Sequence, residues 1–511
     1  MSIEILDCTL RDGGYYTNWN FPQDLSENYF TVLNTLPIDY IEVGYRSTPM
    51  AFYFGEYFYC PEYLLKRIKE LCPKKKLAII LNEKDTTSED LDYLLTPCKG
   101  IIDLVRMAID PANFDRAVSL AKQIKNMGFD VAFNVMYMSE WKNNPAFLDK
   151  IPSINGLVSF FYMVDSYGGI LPDEIKEITK IVQEKTNTSL GFHGHNNLEM
   201  ALINSLTAIE CGCKIIDCTI TGMGRGAGNL KTELLITYLA SKGLINAQDN
   251  GLSDLVSNFE YLQKEYEWGT NLPYMISGAY SLPQKDVMSW ISKKRYSTSN
   301  IINALNNRIN KSNDTTKLQP LKNIKQDQAI IIGGGTSASS HFNAIKELVH
   351  ENHNLTIIHS STRNITAYNT IETEQYFCLP GNEAYKLTKY KSILLSNDYK
   401  FVYPPSPRQM GTYLPPFISD DAYELNEINI VEKYKDSPLA IALQTAIELG
   451  CQYINLVGFD GYSDTIDTTQ FELTQENQYI IDSANKLIKL TSWTPTRYKN
   501  IKVVSIYSLL K

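Results

Sequence analysis

Residues 156–195 read GLVSFFYMVDSYGGILPDEIKEITKIVQEKTNTSLGFHGH. Two short runs, GLVSFFYMV and SLGFHGH, are rich in apolar, aromatic and β-branched residues, as buried strands are. Between them LPDEIKEITKIVQEK sets its apolar residues at helical spacing. Strand, helix, strand over this length is the parallel βαβ unit.

The same texture continues outward. The runs IEILDCTL (3–10), IDYIEVGY (38–45), KLAIILN (76–82), IIDLVRMAI (101–109) and DVAFNVMYM (130–138) precede it, and KIIDCTIT (214–221) follows. Amphipathic segments such as DLSENYFTVLNTL, YLLKRIKELC, EDLDYLLTPC and FDRAVSLAKQIKNMG lie between them. Eight strands, each followed by a helix, predict an α/β chain whose residues 1–240 form a (β/α)8 TIM barrel. A doubly wound open sheet usually needs fewer strands, and no Gly-rich loop follows the first run.

The 511 residues are too many for one ordinary core, so more than one domain is expected. NGLSDLVSNFEYLQKEYEWG and KDVMSWISKKRYSTSNIINALNNRI read as helices, a helical extension over 241–309. Polar residues 310–328 read as a linker. A second, Rossmann-like α/β domain over 329–511 opens with AIIIGGGTSASSHFNAIKELV and continues through NLTIIHS, SILLS, YINLVGFDG and IKVVSIY as strands.

A net charge of −9 and 44% hydrophobic residues suit a soluble globular protein and argue against nucleic-acid and anionic-membrane partners. The nine scattered cysteines fit reduced thiols. MSIEILDCTL lacks the basic and apolar regions of a secretory signal, and no apolar run approaches the ~20 residues of a membrane span. A cytoplasmic protein is expected, and a homo-oligomer.

Barrel active sites gather at the C-terminal strand ends. Those ends offer Arg11, Asp12 and Tyr15 from the first strand, Glu42 and Tyr45 from the second, and Arg106 and Asn134 from the fourth and fifth. The sixth adds Asp165 and Ser166, the seventh His193, His195 and Asn196, and TGMGRGAGN after the eighth adds Arg225 and Asn229. The chain has six histidines, and only these two precede His341. Alternation puts His193 and His195 on one side of the strand. Two such imidazoles with a carboxylate, here Asp12, make a facial site for a divalent ion with open positions. An isolated HxH is more often structural; facing Asp12 and Arg11 across a barrel mouth, it reads as a metal site. Arg11 beside it could stabilise an enolate.

LRDGG (10–14), the HxH pair and GxGxxAGN (Gly222, Gly224, Ala227, Gly228, Asn229) together resemble the metal-dependent pyruvate aldolases. That group is the 4-hydroxy-2-oxovalerate aldolase-like branch of the HMG-CoA lyase-like, or DRE-TIM, metallolyases. The resemblance spans residues 1 to about 300, including EWGTNLPYMISG (267–278). It implies that Asp12, His193 and His195 bind Mn2+ or Mg2+, with Zn2+ or Co2+ as further candidates. Arg11 would steady a pyruvate enolate, Ser166 would lie near the pyruvate carboxylate, and Asn229 near the metal shell; from their strand ends, Arg106 and Glu42 are expected to contact substrate. Tyr15 stands where these aldolases carry a histidine base, and a phenol donates a proton more readily than it abstracts one. The substrates implied are pyruvate or a related 2-oxo acid and an aldehyde.

IIGGGTSAS (331–339) lies between strand and helix, where backbone N–H groups can hold phosphate. With SPLAIALQTAIELGCQYINLVGFDGY (437–462), it resembles hydroxymethylpterin diphosphokinase-like and bacterial sialyltransferase-like domains, common in surface-glycan biosynthesis. That resemblance implies a nucleotide or nucleotide-sugar held at Gly333, Gly334, Gly335, Thr336 and Ser337, with Asp460 near the sugar. The leading reading is an aldolase or lyase with an aldehyde partner that could be sugar-derived. Two alternatives are a Claisen synthase of the isopropylmalate-synthase type, and a glycosyl- or nucleotidyl-transferase with an auxiliary barrel.

Overall fold

The computed structural model describes residues 3–51, 53–246, 251–324, 326–352, 354–395, 397–462 and 468–510. Asn250 in the expected helical extension, Lys325 in the expected linker, and His353 lie outside the described residues. The chain divides into two compact units, Met1–Met288 and Ser289–Lys511.

In the first unit each of the eight apolar runs contains a strand: β1 Glu4–Asp7, β2 Tyr40–Tyr45, β3 Lys76–Asn82, β4 Leu104–Ile109, β5 Asp130–Val135, β6 Phe160–Asp165, β7 Ser189–Gly194 and β8 Ile215–Cys218. They form a closed barrel in sequence order, with β8 paired in parallel to β1. The period-2 alternation of strand side chains decides what each residue meets. Leu6, Tyr40, Ala78, Leu104, Ala132, Phe160, Tyr162 and Ile215 pack together as one buried cluster inside the barrel. Ile41, Ile79, Val105, Phe133, Phe161, Leu190, Phe192 and Ile216, one residue out of phase, join the larger cluster beneath the helices.

That phase makes Glu42, Arg106, Asn134, His193 and Asp217 inward-facing, and all five are buried. The apolar floor is therefore capped by a polar layer towards the strands' C-terminal ends. The helix Pro172–Lys185 shows how the surrounding ring is held. Ile175, Ile178, Thr179 and Val182 are buried at helical spacing, and Glu174 accepts the Leu171 N–H at 2.9 Å.

Residues 9–17 depart from expectation. TLRDGGYYT is a helix that begins directly after β1, so Arg11 and Asp12 are helical rather than loop residues. Its paired glycines are poor helix formers, but packing requires them. A Cβ on Gly13 would lie 2.4 Å from Met223 Sδ, and one on Gly14 would lie 2.1 Å from the Trp19 ring.

The expected helical extension is shared between the units: Leu252–Tyr266 and Leu272–Ala279 fall in the first, Thr298–Ile309 in the second. The second unit holds β9 Gln319–Pro320, β10 Gln328–Ile332, β11 Leu355–His359, β12 Gln375–Cys378, β13 Tyr399–Tyr403, β14 Ala422–Glu424, β15 Tyr453–Val457, β16 Lys489–Ser492 and β17 Lys502–Val503. They form one open sheet in the order β17-β16-β15-β10-β11-β12-β13-β14-β9, with every pairing parallel. The stretch read as a linker thus contributes β9 to the sheet edge. SILLS, read as a strand, lies largely in the helix Lys391–Leu394, and the strand expected there is β13. Three apolar residues fit either period, so the pattern could not decide between them. Chain order reverses between β10 and β15, which creates the crevice where open parallel sheets bind ligands. Among the described residues no helix is long and apolar enough to cross a membrane.

Candidate functional site

The barrel's C-terminal mouth holds a cavity of about 310 Å3 lined by Arg11, Asp12, Tyr45, Asn134, Ser166, His193, His195 and Arg225, with Ile80, Ala108, Met136 and Val164 as apolar wall. Two imidazoles define its floor. His193 Nδ1 lies 2.8 Å from Asp217 Oδ2, and His195 Nδ1 lies 2.7 Å from the Asp165 carbonyl oxygen. A carbonyl can only accept, so His195 donates from Nδ1 and keeps a lone pair on Nε2. The Asp217 carboxylate sets His193 the same way, leaving Nε2 3.6 Å from Asp12 Oδ2. Nδ1 tied to a carboxylate or carbonyl with Nε2 free is the arrangement of metal-ligating histidines.

Burial, together with the neighbouring His193, pushes the His195 pKa down to about 3, so the ring stays neutral. Burial also opposes the charge of Asp12, but Arg11 foremost and then the two histidines hold its pKa down at about 2. Asn229 donates its amide to Asp12 Oδ2 at 2.7 Å, while its own Oδ1 is buried without a hydrogen-bond partner. A carboxylate, two imidazole nitrogens and an orphan amide oxygen are the mixed oxygen and nitrogen donors that divalent ions take, and the residues fit such an ion. Cys8, Asp12 and His193 also bring ligand atoms within 4.8 Å of one another. The Cys8 thiol was not anticipated; it is fully buried beneath the cavity, and burial pushes its pKa far up.

A closed ring of buried charge surrounds this floor. Arg11 Nε donates to Glu42 Oε2 at 2.6 Å, and Arg11 Nη1 pairs with Asp12. Arg106 Nη1 lies 3.1 Å from Glu42 Oε1, its Nη2 pairs with Asp217, and its Nε donates to Asn134 Oδ1 at 3.0 Å. Arg106 also stacks on the Tyr162 ring, 4.3 Å from the centroid. Glu42 and Arg106, expected to contact substrate, are fully buried and do not line the cavity. The inward phase of β2 and β4 sinks them one layer deeper, where they form a buried ion pair.

Tyr15 is likewise displaced from the cavity wall: its hydroxyl is 2.9 Å from that of Tyr45, and Tyr45 is the phenol on the wall. Ser166 is on the wall, its Oγ accepting the Tyr137 N–H at 2.8 Å. Asp165 turns away to accept from the N–H groups of Gly168, Gly169 and Ile170, and burial pushes its pKa up to about 7. Of the expected residues, Arg11, Asp12, Tyr45, Asn134, Ser166, His193, His195 and Arg225 converge on the cavity, with Asn229 behind Asp12. Asp217, Gln284 and Lys285 were missed. Asp217 was findable, since β7 and β8 pair in register and it shares the inward phase of His193.

The loop after β8 completes the mouth. Asn196 N–H donates to the Gly228 carbonyl at 2.8 Å, joining the loop to the end of β7. Gly224 must lack a Cβ, because one there would lie 2.6 Å from Asn229 Nδ2.

In the second unit, the switch-point crevice is a cavity of about 670 Å3 whose wall includes Gly334, Gly335, Thr336, Arg363, Asp460 and Arg497. The glycine run lies there, but most of its donors are committed. Gly333 and Gly335 donate N–H to the Val457 and Gly458 carbonyls at 2.7 and 2.8 Å. Ser337 N–H and the Thr336 hydroxyl donate to Asp460 Oδ2 at 3.0 and 3.1 Å. The carboxylate of Asp460 therefore takes the donors expected to meet a phosphate.

Comparison with known proteins agrees with the barrel's geometry. The HMGL-like family matches residues 105–257. A 4-hydroxy-2-oxovalerate aldolase of Pelotomaculum thermopropionicum is 30% identical over 244 residues, which is 47% of this chain and 71% of that protein. An oxaloacetate decarboxylase of Mycobacterium tuberculosis is 26% identical over 253 residues, 48% of this chain and 72% of that protein. The crystal structure of the N-terminal domain of an inferred aldolase from Bacteroides vulgatus is 53% identical, covering 59% of this chain and all of that domain with a TM-score of 0.56. The barrel is thus that of a metal-dependent lyase, and the chain belongs to the HMGL-like, or DRE-TIM metallolyase, family.

Proposed function

We propose that the first unit makes or breaks the bond between the methyl carbon of pyruvate and an aldehyde, by way of the pyruvate enolate. The convergence of Arg11, Asp12, His193 and His195 on one cavity carries this reading. Aldol cleavage of a 4-hydroxy-2-oxo acid and decarboxylation of oxaloacetate both leave that enolate, so the names of the two relatives point to one intermediate.

Asp12, His193 and His195 would hold Mn2+ or Mg2+, with Zn2+ or Co2+ also compatible, and a bound ion supplies Lewis acidity for the keto oxygen. Arg11, fixed by Glu42 and Asp12, stabilises negative charge on the enolate oxygen. Ser166, whose oxygen already accepts from Tyr137, has its O–H left for the pyruvate carboxylate. In condensation a methyl C–H loses its proton, and the enolate carbon forms the C–C bond to the aldehyde carbon. The aldehyde oxygen becomes an alkoxide and takes a proton from the Tyr45 hydroxyl, which Tyr15 backs. The methyl proton leaves to solvent water as the enolate forms, and a solvent proton restores the Tyr45 phenol after it has protonated the alkoxide, so the pair ends unchanged; cleavage reverses each step.

The test is an aldehyde panel with pyruvate and each divalent ion, with products read by mass spectrometry. A metal-dependent 4-hydroxy-2-oxo acid, lost on Arg11→Ala, supports the reading; thiol release from an acyl-CoA would favour Claisen chemistry instead.

For the second unit we propose a nucleotide or nucleotide-sugar in the switch-point crevice of a Rossmann-like sheet. Gly334 and the side chains of Arg363 and Arg497 would meet its phosphates, in place of the committed N–H groups of Gly333, Gly335 and Ser337. Titration with nucleoside diphosphates, weakened at least ~10-fold by Arg363→Met, tests this.

A further inference from the structure

We propose that the aldehyde handled by the barrel carries an anionic group, a carboxylate or a phosphate, and that Arg225 recognises it. This rests on the reading of the barrel as a pyruvate-enolate enzyme. Arg225 is half-buried on the cavity wall, its guanidinium 4.3 Å from the centroid of the Tyr15 ring. Among the described residues it makes no ion pair, in contrast to Arg11 and Arg106 below it. Asp12 is the one carboxylate on the wall among the described residues, and it already answers Arg11 and Asn229. Lys285, exposed at the same cavity, likewise makes no ion pair among the described residues.

The cavity therefore presents two uncompensated cations. A guanidinium withdrawn from water is costly unless an anion meets it, and stacking on an aromatic face offsets only part of that cost. Arg225 is also fixed in place. Gly226 beside it has φ +62°, and a Cβ there would lie 2.4 Å from Gln284 Oε1; the Tyr16 hydroxyl donates to the Gly226 carbonyl at 3.2 Å. Arg225 stacks on Tyr15, whose hydroxyl is 2.9 Å from the Tyr45 hydroxyl that protonates the aldehyde oxygen, and the pyruvate half is served by Arg11 and Ser166. The free cation thus faces the acceptor end of the cavity.

The experiment compares kcat/KM for matched aldehydes: glyceraldehyde 3-phosphate against glyceraldehyde, and succinic semialdehyde against butanal. The expected result is an advantage of ~10–100-fold for the charged member of at least one pair, the size of a charge-assisted hydrogen bond. The phosphate and carboxylate arms tell the two sources of charge apart. Arg225→Met collapses the advantage and Arg225→Lys retains part of it. Equal use of charged and neutral aldehydes by the wild-type chain overturns the proposal, without any variant having to fold. So does a rise in the KM for pyruvate, equal for all aldehydes, on Arg225→Met, since Arg225 would then hold the donor's carboxylate. Deuterium exchange into pyruvate alone separates the two readings: exchange without an anion preference refutes only this inference, and no exchange refutes the enolate reading with it.

Discussion

Replacing Asp217 with Asn tests whether the buried charge ring tunes the metal site. Asp217 Oδ2 accepts from His193 Nδ1 at 2.8 Å and from Arg106 Nη2, and all three side chains are buried. Burial opposes its ionisation, yet Arg106 foremost and then His193 hold its pKa below the usual carboxylate range, so the carboxylate is charged. Asn keeps the shape and removes the charge, with two separable consequences. His193 loses the anion that makes its Nε2 a strong donor, a change that costs such sites ~10–100-fold in metal affinity, or about 1.4–2.7 kcal/mol. Arg106 loses one of its two carboxylates. Breaking a buried pair outright costs about 3–5 kcal/mol; with Glu42 still 3.1 Å away, about 2–3 kcal/mol is expected, or several degrees in Tm. Calorimetric titration with Mn2+ reads the first effect and thermal unfolding of the metal-free protein reads the second. A variant that loses Tm but binds the ion as tightly as wild type would refute the coupling to His193, leaving Asp217 only as the partner of Arg106.

Other outcomes follow from the same geometry. Gly224→Ala puts a Cβ 2.6 Å from Asn229 Nδ2 and forces the amide away from Asp12, so ion affinity falls at least ~10-fold while circular dichroism stays native. Tyr45→Phe removes the phenol on the cavity wall, and kcat for aldol turnover falls ~10²–10⁴-fold with little change in the KM for pyruvate. In the second unit His359 is fully buried against Phe377, and burial pushes its pKa down to about 4. The unfolded chain takes up that proton near pH 6.5 and the folded chain does not, so stability is lost as pH falls from about 6.5 to 4, by up to about 3 kcal/mol. His359→Gln flattens this part of the pH dependence of chemical denaturation; an unchanged slope refutes the assignment.

The barrel was legible because a strand buried on both faces is written as an apolar run, and all eight runs carried that signature. His193 stood out through rarity and strand phase. Residues 9–17 were not legible as a helix, since Gly13 and Gly14 argue against one and only the approach of Met223 and Trp19 explains them. Arg106 and Glu42 were misjudged because a charge on a barrel strand reads as a substrate contact unless its depth is known. SILLS was too short for its period to tell helix from strand, and the donors of the glycine run were spent on β15 and Asp460, partners far away in sequence.

Formation of the pyruvate enolate in this barrel is tested without any aldehyde by proton NMR of pyruvate in deuterium oxide. The methyl signal is expected to decay in the presence of protein and Mn2+ or Mg2+, and chelation, Arg11→Ala or His195→Ala is expected to stop the decay. A methyl signal that persists with every one of Mg2+, Mn2+, Co2+ and Zn2+ would contradict it.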